Sequence, residues 1–300
     1  MTDTPSLFSR IVAVIWSGVL AFAVLAVASG AWGGLMAANK KTGLAIPWSV
    51  PVMALVLWLI WVYLGGRWWP HSTSESRRLC LRANPVSGRV FGWALVAGVL
   101  SIVALTGCWI VLFQLVKMRP NNLGDISRIP LLTVILLLVM SSLVSPVSEE
   151  AAFRGYCQVV LERKFPGAAA VLVSSVFFAL AHLTQGFYLS KLSVYFLAGV
   201  VLGLIAYLTK SLLPGIAVHI VADLTFFTLV WPFDAKRRLV WEGGADAWFW
   251  IHVAQTVVFA ALAIVAFRKV ASVTQGERSG GASRALSYAV GEPAGQTDMR

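Results

Sequence analysis

The chain has 300 residues, of which 58% are hydrophobic and 12% charged, and its mean hydropathy is +0.79. About 25% charged residues are usual in soluble domains, so one water-soluble core is excluded for a chain this apolar. The net charge of +11 comes from basic residues between apolar runs and near the C-terminus, which fits loops facing anionic lipid and not a nucleic-acid surface.

Apolar runs long enough to cross a bilayer follow one another along the chain. They predict an all-α, polytopic membrane helix bundle of about eight transmembrane helices. We interpret the first run as a retained span, because no small-residue cleavage site and soluble domain follow it. The predicted spans are 11–35, 46–64, 90–116, 129–147, 168–183, 192–208, 213–231 and 247–267.

The chain divides by composition into two parts. Residues 1–270 form the predicted transmembrane domain, with a motif core at 129–231, and 271–300 are predicted to be a disordered polar tail because their composition cannot bury enough apolar area to fold. Lys and Arg are modestly enriched in alternate loops, which places both termini in the cytoplasm. The three cysteines form no CxxC pair, so neither a disulfide framework nor a zinc knuckle is indicated.

Ionisable side chains inside membrane spans are costly, and this makes them candidates for function. The first cluster contains Glu149, Glu150 and Arg154. Glu150 and Arg154 are four residues apart, so they share a helical face and can form an ion pair. Glu149 points about 100° away, so the two carboxylates need not share one role. A simple salt bridge at a helix end would explain the pair equally well.

Two further clusters contain histidine. His182 lies four residues after Phe178, and His219 lies four residues before Asp223, inside a strongly apolar run. A carboxylate beside an imidazole can fix its tautomer and raise its basicity. The alternatives are a hydrogen-bonded core histidine at position 182 and a His–Asp pair that only joins two helices at 219–223.

The spacing of a turn connects the first two clusters. Phe165-Pro166-Gly167 is a strong turn signal, with Glu149 17 residues before Pro166 and His182 16 residues after it. At about 1.5 Å per residue, both lie roughly 25 Å from the turn. An antiparallel hairpin would therefore bring Glu149 and His182 to the same depth.

Such a set of side chains suits peptide-bond hydrolysis. A carboxylate can act as general base on water, and histidines can stabilise an oxyanion or bind a metal. His182, His219 and Asp223 are the candidate ligands if a divalent metal such as zinc is present. The HExxH pattern is absent, so local spacing does not imply zinc, and the cofactor is either such a metal or none.

The ordered motifs resemble a known family. Glu149-Glu150-x-x-x-Arg154, Phe178-x-x-x-His182 and His219-x-x-x-Asp223 are similar to the motifs of the CPBP family of CAAX-processing and bacteriocin-processing intramembrane endopeptidases, over about residues 129–231. The resemblance implies a CAAX protease-like enzyme of metallo- or glutamate type in a membrane, expected to be the bacterial inner (plasma) membrane, acting on a membrane-associated peptide or protein.

The same resemblance implies roles for the candidate catalytic residues. Glu149 would activate water with help from His182, and His219 with Asp223 would form an oxyanion hole or bind a metal. Family members carry Asn or Asp at the last position, and an ionised Asp only accepts hydrogen bonds. The Asp found here therefore fits a protonated side chain or a ligand role better.

Two other classes of function fit parts of the pattern. A non-catalytic membrane scaffold or a bacteriocin-immunity-type protein could hold a peptide in the same cavity without cutting it. A proton-coupled transporter would also carry acids and histidines within spans, although midplane sites are typical of that class. The leading hypothesis is an endopeptidase that cuts a peptide near the cytoplasmic face.

Overall fold

A computed structural model describes residues 6–121 and 129–290, with side chains to residue 279. The described residues form helices joined by short connections. The helices are α1 (Leu7–Thr42), α2 (Ser49–Leu64), α3 (Ser74–Leu81), α4 (Gly88–Leu115), α5 (Leu131–Glu149), a first π-helix (Glu150–Cys157), α6 (Gln158–Glu162), α7 (Gly167–Ala181), α8 (Leu189–Thr209), α9 (Leu213–Thr225), a second π-helix (Phe226–Val230), α10 (Trp231–Asp234), α11 (Val240–Gly243) and α12 (Ala247–Val290).

The prediction of an all-α membrane bundle is confirmed. Within the described ranges, seven helical segments are long and apolar enough to cross a membrane. The remaining predicted span, 46–64, corresponds to the shorter helix α2 of 16 residues. Its length of roughly 24 Å, at 1.5 Å per residue, is less than the thickness of a hydrocarbon core of about 30 Å.

The start of α2 shows how a buried polar side chain fixes a connection. Asn39 is fully buried near the end of α1. Its amide nitrogen donates to the carbonyls of Gly43 and Ile46, each at 3.0 Å, and its amide oxygen accepts from the hydroxyl of Ser49 at 2.8 Å. These bonds satisfy polar groups that a membrane interior would leave unpaired.

Helix α12 continues past residue 270, where the composition predicts a disordered tail. Val270, Val273 and Thr274 are buried, at the i, i+3 and i+4 positions of one helical face, and α12 packs along α4. This packing explains why the helix continues past residue 270, and α12 ends at Val290. Residues 291–300 of the predicted tail lie outside the described part of the chain.

Small residues allow the motif helices to approach closely. A β-carbon on Gly98 of α4 would lie 2.2 Å from a methyl group of Val218 on α9, and one on Gly199 of α8 would lie 2.9 Å from the β-carbon of Ser175 on α7. Such contacts are typical of helix packing in membranes. They place α4, α5, α7, α8 and α9 around a common centre, with α1 against the first π-helix.

The connections lie at two ends of the bundle. The first, which we name the Arg82 end, contains the start of α1 and residues 65–87, 163–166 and 210–212, joined by contacts such as the 3.1 Å hydrogen bond from the Leu212 amide to the Arg82 carbonyl. The second, the Asn121 end, contains residues 43–48, 116–121, 182–188 and 231–246. Here the amide of Asn121 donates to the side chain of Gln185 at 3.0 Å.

Candidate active site

A cavity of about 130 Å³ lies among α4, α5, α7, α8 and α9. Most of its wall is apolar, and its polar side chains include Glu149, His182, His219 and Asp223 with Ser145. Four of the six predicted site residues therefore line one cavity. Among them are Glu149 and His182, which the spacing on either side of the turn at Pro166 predicts to lie at the same depth of the hairpin.

Glu149 is the last residue of α5, and its two carboxylate oxygens differ in environment. Ser145, one turn earlier, donates its hydroxyl proton to Oε1 at 2.7 Å. Oε2 is buried, makes no hydrogen bond to any described residue, and lies 3.9 Å from Nε2 of His219. The carboxylate is thus held through one oxygen, while the other has no hydrogen-bond partner among the described residues.

Glu150 and Arg154 are buried behind the cavity wall. They are 0% and 1% exposed, and Nη1 of Arg154 lies 3.2 Å from Oε1 of Glu150. The guanidinium group also donates to the carbonyl of Gly199 at 3.1 Å and lies 4.3 Å from the ring centroid of Phe178. The predicted pair therefore forms as a buried link between the first π-helix and its neighbours α7 and α8.

His219 lies between the two adjacent carboxylates. Its Nδ1 pairs with Oε1 of Glu150 at 2.9 Å, while Nε2 faces Glu149 and lies 3.6 Å from Oδ1 of Asp223. Gly215, one turn earlier in α9, permits this approach, because a β-carbon there would lie only 3.1 Å from Oε2 of Glu150. Glu149 and Glu150 thus take different roles around one imidazole ring.

Both π-helices begin next to site residues. The first follows Glu149 directly, and the second begins three residues after Asp223. Single-turn π segments occur often at functional sites, where the extra residue per turn redirects side chains. Helical spacing in the sequence assumes a regular α-helix, so neither π-helix is predicted from the pattern of residues.

His182 directly follows α7 and is fixed by two contacts. Its Nδ1 lies 2.8 Å from the carbonyl of Phe178, and its ring stacks on that of Tyr195 with centroids 4.0 Å apart and planes 21° apart. A carbonyl oxygen only accepts, so Nδ1 carries the proton in this bond. In the neutral ring, Nε2 is then the basic nitrogen.

A hydrogen-bond network that the sequence motifs do not reveal supports this histidine. Tyr195 donates its hydroxyl proton to Gln185, which lies three residues after His182. Lys191, only 1% exposed, donates to the side chain of Asn121 at 2.7 Å and to the carbonyl of Arg119 at 2.6 Å. Lys191 stands one residue before the predicted span 192–208. Its spacing of four residues from Tyr195, which puts both on one helical face, is the only feature of the sequence that connects it to the site.

The candidate metal ligands do not form a recognisable metal site. In the part of the chain that the structure describes, no group of three or more His, Cys, Asp or Glu side chains is placed to hold a metal ion. The Nδ1 atoms of His182 and His219 are committed to Phe178 and Glu150, respectively. The metalloprotease interpretation therefore has no support from the geometry of the described residues.

Comparison with known proteins identifies the segment that carries these motifs. Residues 131–225 match a family model described as Rce1-like, type II CAAX prenyl endopeptidase. This segment is Rce1-like. The match spans about a third of the chain and confirms the resemblance to the CPBP family. No curated protein and no solved structure matched the chain.

The Rce1-like match has a direct consequence for the class of protein. Its description and the seven long apolar segments support a CAAX protease-like enzyme embedded in a membrane. The matched residues include all six predicted site residues, four of which (Glu149, Glu150, Arg154 and His182) lie on the hairpin that runs from α5 to the residue after α7. The family region thus coincides with the centre of the bundle and with most of its cavity.

Proposed function

We propose that this Rce1-like protein is a glutamate-type intramembrane endopeptidase that hydrolyses a peptide bond of a membrane-associated protein or peptide. The observation that carries the proposal is the convergence of Glu149, His182 and His219 on one largely apolar cavity within the family-matched segment. The expected substrate class follows the family description, a peptide with a C-terminal prenylated CAAX box.

Glu149 is the proposed general base. The hydroxyl of Ser145 fixes Oε1, and Oε2 is the oxygen that binds a water molecule. As the water oxygen attacks the carbonyl carbon, one water proton passes to Oε2, and the carbonyl becomes a tetrahedral oxyanion. Positioned general bases typically contribute about 10²- to 10⁴-fold to a rate.

His219 is the proposed stabiliser of that oxyanion. Glu150 accepts a hydrogen bond from the Nδ1–H group and so directs Nε2 toward Glu149 and Asp223. In this mechanism the imidazole is doubly protonated, and its Nε2–H donates to the oxyanion. A preorganised donor in a site of low dielectric constant stabilises developing charge more strongly than water does. Asp223 carries a proton and acts as a second donor beside it.

His182 assists the proton transfers. With Nδ1 bound to the Phe178 carbonyl, Nε2 can accept a proton from the Glu149–water pair and deliver it to the amide nitrogen. The carbon–nitrogen bond then breaks, which releases an amine and a carboxylic acid. Glu150 and Arg154 are positioning residues in this scheme, since their buried contacts orient the ring of His219 and the first π-helix.

The decisive test compares Glu149→Gln with wild type. We expect at least a 10²-fold loss of turnover, measured with a quenched fluorogenic peptide ending in a prenylated CAAX box, on purified protein in proteoliposomes. Glu75→Gln is the matched control, because Glu75 is exposed on α3. Melting temperatures of both variants would show that the loss is not a folding defect.

The opposite result would remove the catalytic assignment. If Glu149→Gln cleaves at the wild-type rate, Glu149 is not the base. If Glu149→Ala protein instead restores the phenotype of a deletion strain while cleaving nothing, a non-catalytic scaffold that binds a peptide replaces the endopeptidase.

A further inference from the structure

The catalytic cavity adjoins a second pocket at the Asn121 end of the bundle. We name this second pocket the vestibule, and its walls include Arg119, Asn121, Thr184, Phe187 and two residues shared with the cavity, Gln185 and Trp231. Thr184 and Phe187 are exposed, so the vestibule opens at the protein surface. Gln185 and Trp231 thus form a neck between the surface and the catalytic groups.

The neck carries a polar group without a protein partner. Nε1 of Trp231 is buried and makes no hydrogen bond to the described residues. Indole nitrogen only donates, and a buried donor left without a partner is destabilising. A ligand that passes the neck and offers carbonyl oxygens would satisfy it, and a peptide backbone offers one at every residue.

The opposite wall of the neck is fixed. Gln185 accepts hydrogen bonds from Asn121 and Tyr195, and Asn121 is itself held by the buried ammonium group of Lys191. At the Arg82 end the space is instead filled by a buried cluster, in which Arg82 pairs with Glu162 and donates to the carbonyl of Arg154. The shared lining residues therefore point to access from the Asn121 end.

We infer that the vestibule is the entry site for an extended peptide segment, which reaches the catalytic cavity from the membrane face of the Asn121 end, opposite the face on which α1 begins. Trp231 donates a hydrogen bond to a backbone carbonyl of that segment. The segment must be extended, because a helix about 10–12 Å across hides its peptide bonds from the catalytic groups. This inference deepens the proposed function and rests on it for the identity of the occupant.

The inference constrains where the substrate lies. The distribution of Lys and Arg predicts that both termini are cytoplasmic, and the Asn121 end would then face away from the cytoplasm. Entry through the vestibule combined with that orientation differs from the expectation of cleavage near the cytoplasmic face. The two can be reconciled if the chain has the reverse orientation, so a measurement of sidedness is required.

The route is tested without any substrate. In a background with Cys80, Cys108 and Cys157 replaced by alanine, three single cysteines are introduced by Ala198→Cys in the cavity, Thr184→Cys in the vestibule and Ser76→Cys at the Arg82 end. Inside-out and right-side-out vesicles are treated with a small, charged, membrane-impermeant methanethiosulfonate. We expect the Ala198→Cys protein to react only in the vesicles in which Thr184→Cys reacts.

Each other outcome overturns the route. Reaction of Ala198→Cys in the vesicles that label Ser76→Cys would place the entrance at the Arg82 end. Reaction in both preparations would indicate a continuous pore, and reaction in neither would indicate a cavity closed to water at both ends. The labelling results do not depend on whether Glu149→Gln abolishes cleavage. Failure of the proposed entry route is therefore distinguishable from failure of the proposed function.

The peptide contact is tested by Trp231→Phe, which keeps an aromatic ring and removes the donor. With the same fluorogenic peptide we expect KM to rise about 5- to 10-fold with kcat within twofold, as loss of one hydrogen bond of about 1–1.5 kcal/mol in binding requires. An unchanged KM would remove Trp231 from the entry path. A fall in kcat alone would place it at the reacting bond instead.

Discussion

The two ends of the bundle use polar side chains in different ways. At the Arg82 end, the guanidinium of Arg82 makes contacts of 3.0–3.1 Å with both oxygens of Glu162, and both side chains are largely buried. At the Asn121 end, Lys191, Asn121, Gln185 and Tyr195 form a network that borders an open pocket. A buried ion pair closes one end, whereas hydrogen bonds among side chains border the open pocket at the other.

This difference indicates that the Arg82 end contributes mainly to folding stability, whereas the Asn121 end borders the proposed access to the catalytic cavity. Arg82 joins three segments that are distant in sequence, because it also donates to the carbonyl of Arg154 and accepts from the amide of Leu212. Nothing reactive lies in that cluster. The Asn121 network instead ends at Tyr195, whose ring stacks on His182. Damage to the first end should therefore reduce stability, and damage to the second should reduce turnover.

Arg82→Met should give the largest effect on stability. Removing the cation leaves Glu162 with the Lys210 ammonium group at 3.1 Å and the Gln158 amide at 2.9 Å, and it removes the side-chain donor to the Arg154 carbonyl. Breaking a buried pair typically costs about 3–5 kcal/mol, and the remaining lysine reduces this to about 2–4 kcal/mol. The measurement is the free energy of unfolding in mixed micelles, with Arg67→Met, an exposed arginine at the same end, as the control.

Turnover decides whether the two ends are separate. We expect Arg82→Met to cleave within about twofold of wild type per folded molecule, since its contacts reach the site only through the backbone of Arg154. A tenfold loss of turnover in a fully folded sample would contradict the comparison and make the Arg82 end part of the catalytic machinery.

The sequence predicts the reactive groups better than the elements that support them. Glu149, His182, His219 and Asp223 are recognisable because ionisable residues in apolar runs are rare and costly. Arg82 and Asn121 stand in polar connections, where such residues are ordinary, and their partners lie 80 and 64 positions away. Only tertiary structure brings these residues together, so no local pattern predicts either network.

Backbone geometry is the other part that the sequence does not predict. The first π-helix arises where α5 meets its neighbours, with all eight of its residues buried. Neither hydropathy nor helical spacing distinguishes a π turn from an α turn over so few residues. The same limitation applies to α12, which continues past residue 270 with Val270, Val273 and Thr274 buried although the composition there is polar.

Tyr195 provides the intermediate effect, at the Asn121 end. Tyr195→Leu removes the ring that stacks on His182 and the hydroxyl that bonds Gln185, so we expect kcat to fall about tenfold with little change in KM. Tyr195→Phe keeps the stack and should recover most of that loss, to within about threefold of wild type, since an aromatic pair contributes about 0.5–1.5 kcal/mol.

The pattern across the two variants identifies Tyr195 as a positioning residue. A purely structural role would lower the melting temperature of Tyr195→Leu and leave kcat per folded molecule unchanged. Equal kcat values for the leucine and phenylalanine variants would show that stacking does not orient His182, and would leave the hydrogen bond to Gln185 as the relevant contact.

Glu277→Gln should give the smallest effect and shows which property of the Arg82 end matters. The hydroxyl of Ser87 donates to Glu277 at 2.6 Å, which ties the start of α4 to α12 at the same end as Arg82. Glu277 is exposed, and exposed polar contacts contribute about 0–1 kcal/mol, so we expect the free energy of unfolding to change by less than about 0.5 kcal/mol. A loss comparable to that of Arg82→Met would mean that polar linkage between helices at this end is sufficient. A negligible loss, measured in the same micelles and at the same ionic strength, would mean that the Arg82–Glu162 pair stabilises the protein because it is buried.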